Sequence, residues 1–307
     1  MKPYNDYSTH LREKYGSKVY RIGIDAAFSC PFRCTYCNEN GSRSTYSTAG
    51  ESVEKQISER IEYLKKSRSA SRFIAYFQAF TNTNASPDKL KYVYDQILPF
   101  KDIVGLSIGT RPDCIDGEKL NLIASYKDTY EVWLEYGLQT IHDRTLKNIN
   151  RGHEFKDFLN AYNLTKRLSI PVCAHVIIGL PGENRKDILE TAEKLTELQV
   201  DGVKIHLLHI LKGSVLEKQY RDGAIHPLGQ EEYVEIVCDF LERLSPGIII
   251  QRMTAQGSKG DHIAPAWALD KLGTLQMIVE TLKRRGSYQG RDLPLSSNIK
   301  TKSSSHP

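Results

Sequence analysis

The sequence predicts an α/β protein built on a partial parallel barrel of six strand–helix units. The chain has 307 residues, enough for one large domain or two ordinary ones. Hydrophobic residues make up 40% and charged residues 26%, which is typical of a folded globular chain. Apolar segments alternate along the chain with segments of helical spacing, which indicates a parallel sheet covered by helices. Six units fall short of the eight that close a full (β/α)8 barrel, so we expect an open one.

The six predicted strands are apolar runs bounded by turn signals, at residues 19–27, 72–77, 103–108, 131–138, 171–178 and 202–210. A segment with helical spacing follows each strand. In the first of these segments Val53, Ile57, Ile61 and Leu64 share one face, and in the second Pro87 occupies the favoured first turn. The predicted helices cover residues 52–66, 87–98, 117–126, 143–149 with 155–168, 186–198 and 214–221.

The chain divides into three predicted parts. Residues 1–225 form the barrel core, and residues 226–290 form an α/β extension packed on it. The extension contains a helix at 231–244, a short strand at 247–250 and a last helix at 264–285. The chain is polar and serine-rich from Ser296, and we expect residues 291–307 to be a disordered tail.

Charge and hydropathy narrow the cellular setting. The N-terminus lacks an apolar run after its first charge, and no stretch approaches the roughly 18 apolar residues of a membrane span, so we expect a cytoplasmic protein without membrane contact. The net charge of +5 is compatible with RNA, although solvated surface is the simpler interpretation. The cluster of Lys283, Arg284 and Arg285 with Tyr288 and Arg291 could contact phosphates, but a helix dipole also favours cations at a C-terminus.

Three of the six cysteines crowd into one loop after the first strand. Cys30, Cys34 and Cys37 have the spacing C-x3-C-x2-C. Three thiolates on one loop can hold three irons of a [4Fe–4S] cluster and leave the fourth iron open to a small chelating ligand. Structural zinc would need a closed set of four ligands, and the second cysteine pair typical of such sites is missing.

The other cysteines are Cys114, Cys173 and Cys238, and each stands alone. A remote fourth zinc ligand from one of them stays open as an alternative. Otherwise we expect all three to behave as small buried hydrophobic residues. Cys114 follows the third strand and is the candidate for a catalytic thiol or a ligand of a second cluster.

The motif C-x3-C-x-aromatic-C, with Tyr36 in the aromatic place, resembles the signature of the radical S-adenosylmethionine (SAM) superfamily. Residues 135–140, 148–153 and 175–182 resemble the radical SAM domain of the Elongator catalytic subunit. Residues 76–84, 109–113, 263–267 and 284–290 resemble the YhcC-like bacterial subfamily. Many YhcC-like proteins have a longer spacing between the first two cysteines. Elongator subunits carry an acetyltransferase domain after the radical SAM part, and we expect none in this sequence, so the resemblance does not imply acetyl transfer.

The resemblance implies a TIM-like partial barrel and two cofactors, a [4Fe–4S] cluster and SAM. It implies reductive cleavage of SAM to a 5′-deoxyadenosyl radical, which abstracts hydrogen from a substrate. The Elongator-like segments suggest a tRNA nucleoside, while a small metabolite or a peptide stays open. A flavodoxin- or ferredoxin-like donor would supply the electron. The alternative is a zinc-stabilised RNA-binding protein without catalysis.

In the family, SAM contacts lie at the C-terminal ends of the strands. Arginine suits bidentate pairing with a carboxylate, so Arg151 is a candidate to pair with the SAM carboxylate. The resemblance implies that Glu135 and Gln139 bind the ribose or methionine part of SAM, and a turn at Gly179 would let backbone approach the adenine. The alternatives are a satisfied loop for the strand-end residues and a surface salt bridge for Arg151. A carboxylate on an apolar strand needs a partner, which singles out Glu135. The implied SAM contacts are Tyr36, Gln78, Thr81, Ser107, Thr110, Glu135, Gln139, Arg151 and Gly179.

Lys204, His206 and His209 lie on the sixth predicted strand and are further candidates to line the site. Single histidines on strands are more often satisfied core residues, so this interpretation competes with a structural one. The sequence does not identify a catalytic acid, base or nucleophile.

Overall fold

The computed structural model describes residues 2–38, 50–255 and 260–294. Seven parallel strands form one sheet in the order β1-β2-β3-β4-β5-β6-β8. They are β1 (Val19–Ile24), β2 (Arg72–Phe77), β3 (Ile103–Thr110), β4 (Glu131–Gln139), β5 (Val172–Ile178), β6 (Gly202–Leu207) and β8 (Ile249–Arg252). The short strands β7 (Ile210–Leu211) and β9 (His262–Ala264) form a separate antiparallel pair.

The sheet curls into a partial barrel. Its two edge strands, β1 and β8, have no backbone ladder between them. Their side chains nevertheless meet, because Arg21 Nη2 of β1 lies 2.5 Å from Gln251 Oε1 of β8. The predicted partial α/β barrel is therefore confirmed.

Ten helices accompany the sheet in the described part of the chain: α1 (Tyr7–Tyr15), α2 (Val53–Arg68), α3 (Pro87–Asp95), α4 (Gly117–Ala124), α5 (Asp143–Asn148), α6 (Phe155–Arg167), α7 (Arg185–Glu197), α8 (Val215–Arg221), α9 (Gln230–Glu242) and α10 (Lys271–Arg284). Side-chain caps start several of them. Ser52 accepts from the backbone N–H of Lys55 at the start of α2, and Asn184 forms a reciprocal capping box with Asp187 at the start of α7.

Alternation along the strands separates the two faces of the sheet. On β4, Val132, Leu134 and Tyr136 belong to the main core between the sheet and the helices. Trp133 and Glu135 occupy the intervening positions and face the inside of the barrel. The inner face of β4 therefore holds an apolar residue, Trp133, and a charged one, Glu135.

Helix α1 closes the N-terminal end of the barrel, and it is not among the predicted elements. Its buried residues Tyr7 and Leu11 pack in one cluster with Trp133, Cys173 and Ile249 of the inner face. Asp6 caps the helix by accepting from the backbone N–H of Thr9. Only the spacing of Tyr7, Leu11 and Tyr15 could have indicated an amphipathic helix.

The seventh strand comes from the predicted extension. Residues 249–252 pair in parallel with β6 after the crossover helix α9, so this segment adds a further strand–helix unit to the sheet. The division of the chain at residue 225 stays a prediction.

Smaller differences concern element ends. The predicted strand 202–210 ends at Leu207, and the last helix begins at Lys271 after a turn at Ala266–Leu269. Pro265, which precedes that turn, cannot donate a backbone hydrogen bond. Of the predicted tail, residues 295–307 lie outside the described residues. No helix in the described ranges combines the length and apolarity that crossing a bilayer requires.

Candidate functional site

A cavity of about 700 Å³ opens at the C-terminal end of the barrel. The three clustered cysteines line it, together with seven of the nine residues proposed to contact SAM: Tyr36, Gln78, Thr81, Thr110, Glu135, Gln139 and Arg151. These residues come from the cysteine loop and from the ends of β2, β3 and β4, and Arg151 follows α5. The volume lies in the range of small-molecule sites in proteins.

Hydrogen bonds to its backbone groups hold the cysteine loop against its neighbours. Its first part is tied to α2, because Gln56 accepts from the Asp25 N–H and donates to the Asp25 carbonyl. Further along, Thr35 N–H donates to the Ile149 carbonyl, and the Thr35 carbonyl accepts from Leu216 N–H. The loop is thus positioned from both sides.

The three thiols differ in their surroundings. Cys30 is exposed, with its Sγ atom 3.1 Å from Thr81 Oγ1, whereas Cys34 is buried and Cys37 is partly buried. A hydrogen bond with Cys37 and the charge of Arg151 lower the pKa of Cys34 to about 5. Thiolates are the metal-binding form of cysteine, so this donor set fits a group that takes three cysteine ligands.

Arg151 lies beneath the loop and is buried. Its Nη2 atom donates to the Gly137 carbonyl at 2.6 Å, its Nε atom lies 3.0 Å from His153 Nε2, and its Nη1 atom lies 3.5 Å from Cys34 Sγ. A Cβ atom at Gly137 would lie 2.5 Å from Arg151 Nη2, so a side chain there would force the guanidinium to shift. Burial and the Arg151 charge lower the pKa of His153 to about 4, which keeps its imidazole neutral.

A buried ionic cluster forms the floor of the cavity. The Glu135 carboxylate contacts Lys204 Nζ, lies 3.3 Å from Arg21 Nη2 and lies 3.0 Å from His175 Nε2. Burial opposes ionisation, but the charges of Lys204 and Arg21 outweigh it and hold the pKa of Glu135 well below its usual value. The Lys204 ammonium also lies 4.1 Å from the centre of the Tyr76 ring. The partner that Glu135 requires is therefore Lys204, from a strand two places away in the sheet.

Three cavity residues other than glycine have left-handed backbone: Ala27 (φ 56°), Phe80 (φ 59°) and Gln139 (φ 76°). At Gln139 the register between β4 and β5 shifts. Such conformations cost free energy and concentrate at functional sites. Their presence here therefore supports a functional role for this end of the barrel.

Two of the proposed SAM contacts lie outside the described lining of the cavity. Ser107 is fully buried on β3, level with Tyr76 on β2. Gly179 has φ +93°, and a Cβ atom there would approach Leu228 and Leu208. A turn follows β5 at Gly179 as predicted, and Gly179 lies against the side chains of Leu228 and Leu208.

The remaining candidates divide between the barrel and the surface. Cys114, Cys173 and Cys238 are buried, and burial raises the pKa of each thiol. In the basic cluster, Arg284 pairs with Glu235, and Arg285 pairs with Glu235, Asp239 and Glu242. These pairs engage two of the four cations of the basic cluster, Arg284 and Arg285.

Sequence reasoning missed Arg21 and Arg111. Arg21 interrupts the apolar strand β1, which is a signal of the same kind as Glu135 on β4. Arg111 is 2% exposed, pairs with Asp113 at 2.8 Å, and lies 5.1 Å from the ring of Phe32 at the cavity.

Two protein-family models match most of the chain. The model of the Radical SAM superfamily matches residues 27–195, and that of the Radical SAM C-terminal domain matches residues 200–284. YtqA of Bacillus subtilis is 39% identical over 298 residues, which cover 94% of this chain and 92% of that protein. YhcC of Escherichia coli is 38% identical over 276 residues, 87% of this chain and 88% of that protein.

Two further similarities are more distant. The solved structure of Elp3 from Methanocaldococcus infernus, with an N-terminal deletion, matches with a TM-score of 0.67 and 18% identity over 88% of this chain and 64% of that chain, a likeness of fold. The tRNA uridine(34) acetyltransferase of Methanocaldococcus jannaschii is 30% identical over 137 residues, 44% of this chain and 25% of that protein. The resemblances drawn from the motifs are confirmed, and the zinc-binding alternative receives no support.

Proposed function

We propose a function from one premise: the chain belongs to the radical SAM superfamily, and it is an enzyme with a [4Fe–4S] cluster and SAM as cofactors. When bound, these cofactors supply reductive cleavage of SAM to methionine and a 5′-deoxyadenosyl radical. The proposal is that this chain uses the radical to abstract hydrogen from a tRNA nucleoside.

The observation that carries the proposal is the convergence of Cys30, Cys34 and Cys37 on the cavity with Arg151 beneath them. In the proposal the three thiolates hold three irons. Arg151 stabilises the Cys34 thiolate, because a buried guanidinium near sulfur favours the ionised form.

The polar residues around the cavity would hold SAM. Tyr36, Gln78 and Thr81 lie on the side of the cysteine loop and β2, while Thr110, Glu135 and Gln139 lie on the side of β3 and β4. Glu135 is already engaged by Lys204 and Arg21, so we assign it to fixing the floor of the cavity beside SAM. Ser107 and Gly179 are left out, because they lie outside the described lining.

The walls must also keep water from the radical. Phe28 and Phe32 line the cavity on the cysteine loop, and Phe80 lines it after β2. These rings present apolar surface beside the polar contacts, which is the composition expected of a site that binds a cofactor and excludes solvent.

A tRNA nucleoside is proposed as substrate on two grounds. A relative that is 30% identical over 137 residues, which cover 44% of this chain, is named a tRNA uridine(34) acetyltransferase. The net charge of +5 also favours a polyanionic partner. The paired arginines at the end of α10 are poor phosphate ligands, so the RNA would approach the mouth of the barrel instead.

The proposed electron donor is a flavodoxin- or ferredoxin-like protein. Cys30 is exposed and Phe32 is 44% exposed, so one side of the cysteine loop is accessible to a docking partner. All six cysteines are free thiols, which is typical of a reducing compartment, and we therefore include a cytosolic location in the proposal.

The test begins with anaerobic purification and reconstitution with iron and sulfide. Dithionite and SAM are added, and 5′-deoxyadenosine is quantified with and without tRNA. The tRNA is isolated from cells grown in deuterated medium. Deuterium in 5′-deoxyadenosine and a mass change in one nucleoside of the tRNA are the expected results.

The control is the same tRNA from cells grown in ordinary medium, which should give unlabelled 5′-deoxyadenosine. Formation of 5′-deoxyadenosine without deuterium transfer or a changed nucleoside would eliminate tRNA as the substrate. A colourless protein that holds zinc and leaves SAM intact would contradict the cluster assignment itself.

A further inference from the structure

The inner wall of the barrel on β5, β6 and β8 carries more positive than negative charge. His175, Lys204 and Arg252 form a row across these three strands, because His175 is the register partner of Lys204 and Lys204 is the register partner of Arg252. Neighbouring strands lie about 4.8 Å apart, so two cationic residues are adjacent inside the barrel.

Glu135 neutralises only part of this charge. Its carboxylate contacts Lys204 and Arg21, and it accepts a hydrogen bond from His175 Nε2. The side chain of Arg252 forms no hydrogen bond or ion pair with any residue in the described ranges, and neither does that of Lys271 at the start of α10. Both side chains are partly buried.

The charge of Arg252 acts on its neighbours. Burial and Arg252 together lower the pKa of His206 well below its usual value and lower the pKa of Lys271. Burial and nearby Arg21 lower the pKa of Lys204 to about 7, with Arg252 contributing in the same direction. Partly buried cations that repel one another are costly, and a bound anion would remove that cost.

Two further donors are unused. His206 Nε2 and His209 Nε2 are buried and lack a hydrogen-bond partner among the residues described here. The ring of His206 lies 5.2 Å from that of His175, centre to centre, and His175 lines the cavity beside Glu135. The wall therefore continues directly from the cavity in which the cofactors are proposed to bind.

We infer that Arg252, Lys271 and the neighbouring histidines form a subsite that binds an oxyanion of the substrate, a phosphate or a carboxylate group. The inference rests on the proposed function, because it places the substrate beside SAM. Guanidinium and ammonium groups are the usual ligands of both anions, and a neutral imidazole can add a hydrogen bond. The substrate class is thus narrowed to molecules that carry an anionic group near the reacting carbon.

The test uses the reconstituted holoprotein with SAM, kept anaerobic and at constant ionic strength. Inorganic phosphate and malonate are titrated separately by calorimetry, so that a phosphate source and a carboxylate source are distinguished. The wild-type protein should bind at least one of them saturably, with one anion per chain.

The variants Arg252→Gln and Lys271→Gln should weaken that binding by about tenfold or more, since each removes a charge-assisted contact. Arg252→Lys should retain most of it. Arg243→Gln is the matched control, because Arg243 is partly buried but pairs with Glu193 and Asp292 away from the barrel, and it should bind like the wild type. If Arg252→Gln fails to fold, Lys271→Gln tests the same subsite from another element.

Non-saturable binding of both anions by the wild type, or undiminished binding in both variants, would overturn the inference. The same wild-type and Arg243→Gln preparations are assayed for 5′-deoxyadenosine. Anion binding without SAM cleavage would support the subsite and contradict the proposed function. SAM cleavage without anion binding would contradict the subsite and support the radical SAM activity.

Discussion

The Nη1 atom of Arg151 lies 3.5 Å from the Sγ atom of Cys34, in the buried base of the cysteine loop. This relationship joins a residue after α5 to a loop that follows β1, more than a hundred residues earlier in the chain. It places a fixed positive charge next to the most buried of the three clustered thiols, and it makes the cysteine loop depend on the geometry of β4.

Replacing Cys34 with alanine should abolish cluster binding, because two thiolates cannot hold the three irons assigned to this loop. Iron and sulfide content and the visible absorption of the reconstituted protein measure this. Cys238→Ala is the control, since Cys238 is also a buried free thiol but lies on α9, and it should retain the cluster. A Cys34→Ala protein with full iron content would contradict the assignment.

Gly137→Ala should displace Arg151 from beneath the loop. The new Cβ atom would lie 2.5 Å from Arg151 Nη2 and 2.8 Å from Gln139 Nε2, far inside van der Waals contact. We expect the Arg151 guanidinium to move away from Cys34 and cluster or SAM binding to weaken, with a destabilisation of only about 1 kcal/mol, because the displaced atoms are the ends of flexible side chains. Iron content, equilibrium dialysis with SAM and urea unfolding would measure the three effects.

Gly117→Ala is the matched control for that substitution. Gly117 begins α4, and a Cβ atom there meets no heavy atom within 4 Å. This variant should keep the cluster and be at least as stable as the wild type, because alanine favours the helix. Equal iron content, SAM binding and stability in Gly137→Ala and Gly117→Ala would show that the close approach of Arg151 to Gly137 does not affect the site.

Glu135→Gln should destabilise the fold by roughly 3–5 kcal/mol, because Lys204 and Arg21 would remain buried without their carboxylate. The double variant with Lys204→Met should recover part of that loss, since it removes one of the unpaired charges. Urea unfolding midpoints provide the measurement. Glu217→Gln, which removes a surface pair with Arg221, should leave the midpoint nearly unchanged.

Acid should destabilise the protein through its buried histidines. Burial and the charge of His262 lower the pKa of His209 from 6.5 to about 4. The unfolded chain therefore binds this proton first as the pH falls, so the contribution of His209 to stability is complete above pH 6.5 and is lost between 6.5 and 4. By linkage, this loss is about 1–2 kcal/mol at pH 5.

His209→Gln should reduce the difference in unfolding free energy between pH 7 and pH 5 by about that amount. His226→Gln, on an exposed loop, is the control and should change nothing. The comparison with wild type at both pH values cancels contributions common to all three proteins, including release of the cluster. An unchanged acid sensitivity in His209→Gln would refute the assignment.

The cysteine loop and the order of strands and helices could be predicted from the sequence, because both depend on neighbours in the chain. Residues 72–77 form a strand as predicted, since apolar and β-branched residues there suit a buried strand. Helix α1 was not predicted, because it has too few apolar residues to show a clear helical pattern. The strand at Ile249–Arg252 was predicted near this position, but its pairing with β6 in the main sheet was not.

The composition of the site was only partly predictable. Seven of the nine SAM candidates line the cavity, because the ends of parallel strands meet at one edge of the sheet whatever the connections. Ser107 and Gly179 do not line it in the described part of the chain. The position of a residue at a strand end predicts that it lies at the C-terminal edge of the sheet. Whether its side chain reaches the cavity depends on the register between strands, which the sequence does not give.

The sequence by itself determined the cofactor-binding loop, the family and the class of fold, since spacing and periodicity are properties of local chain. Only the tertiary structure decided that Arg21, Glu135 and Lys204 meet in one buried cluster and that Arg252 lies beside it without a partner among the described residues. These residues come from four strands, and their chain separations do not encode which positions lie level. Burial then makes the charges of these neighbours interact strongly, because the same groups in water would be screened and would not shift the pKa values of one another.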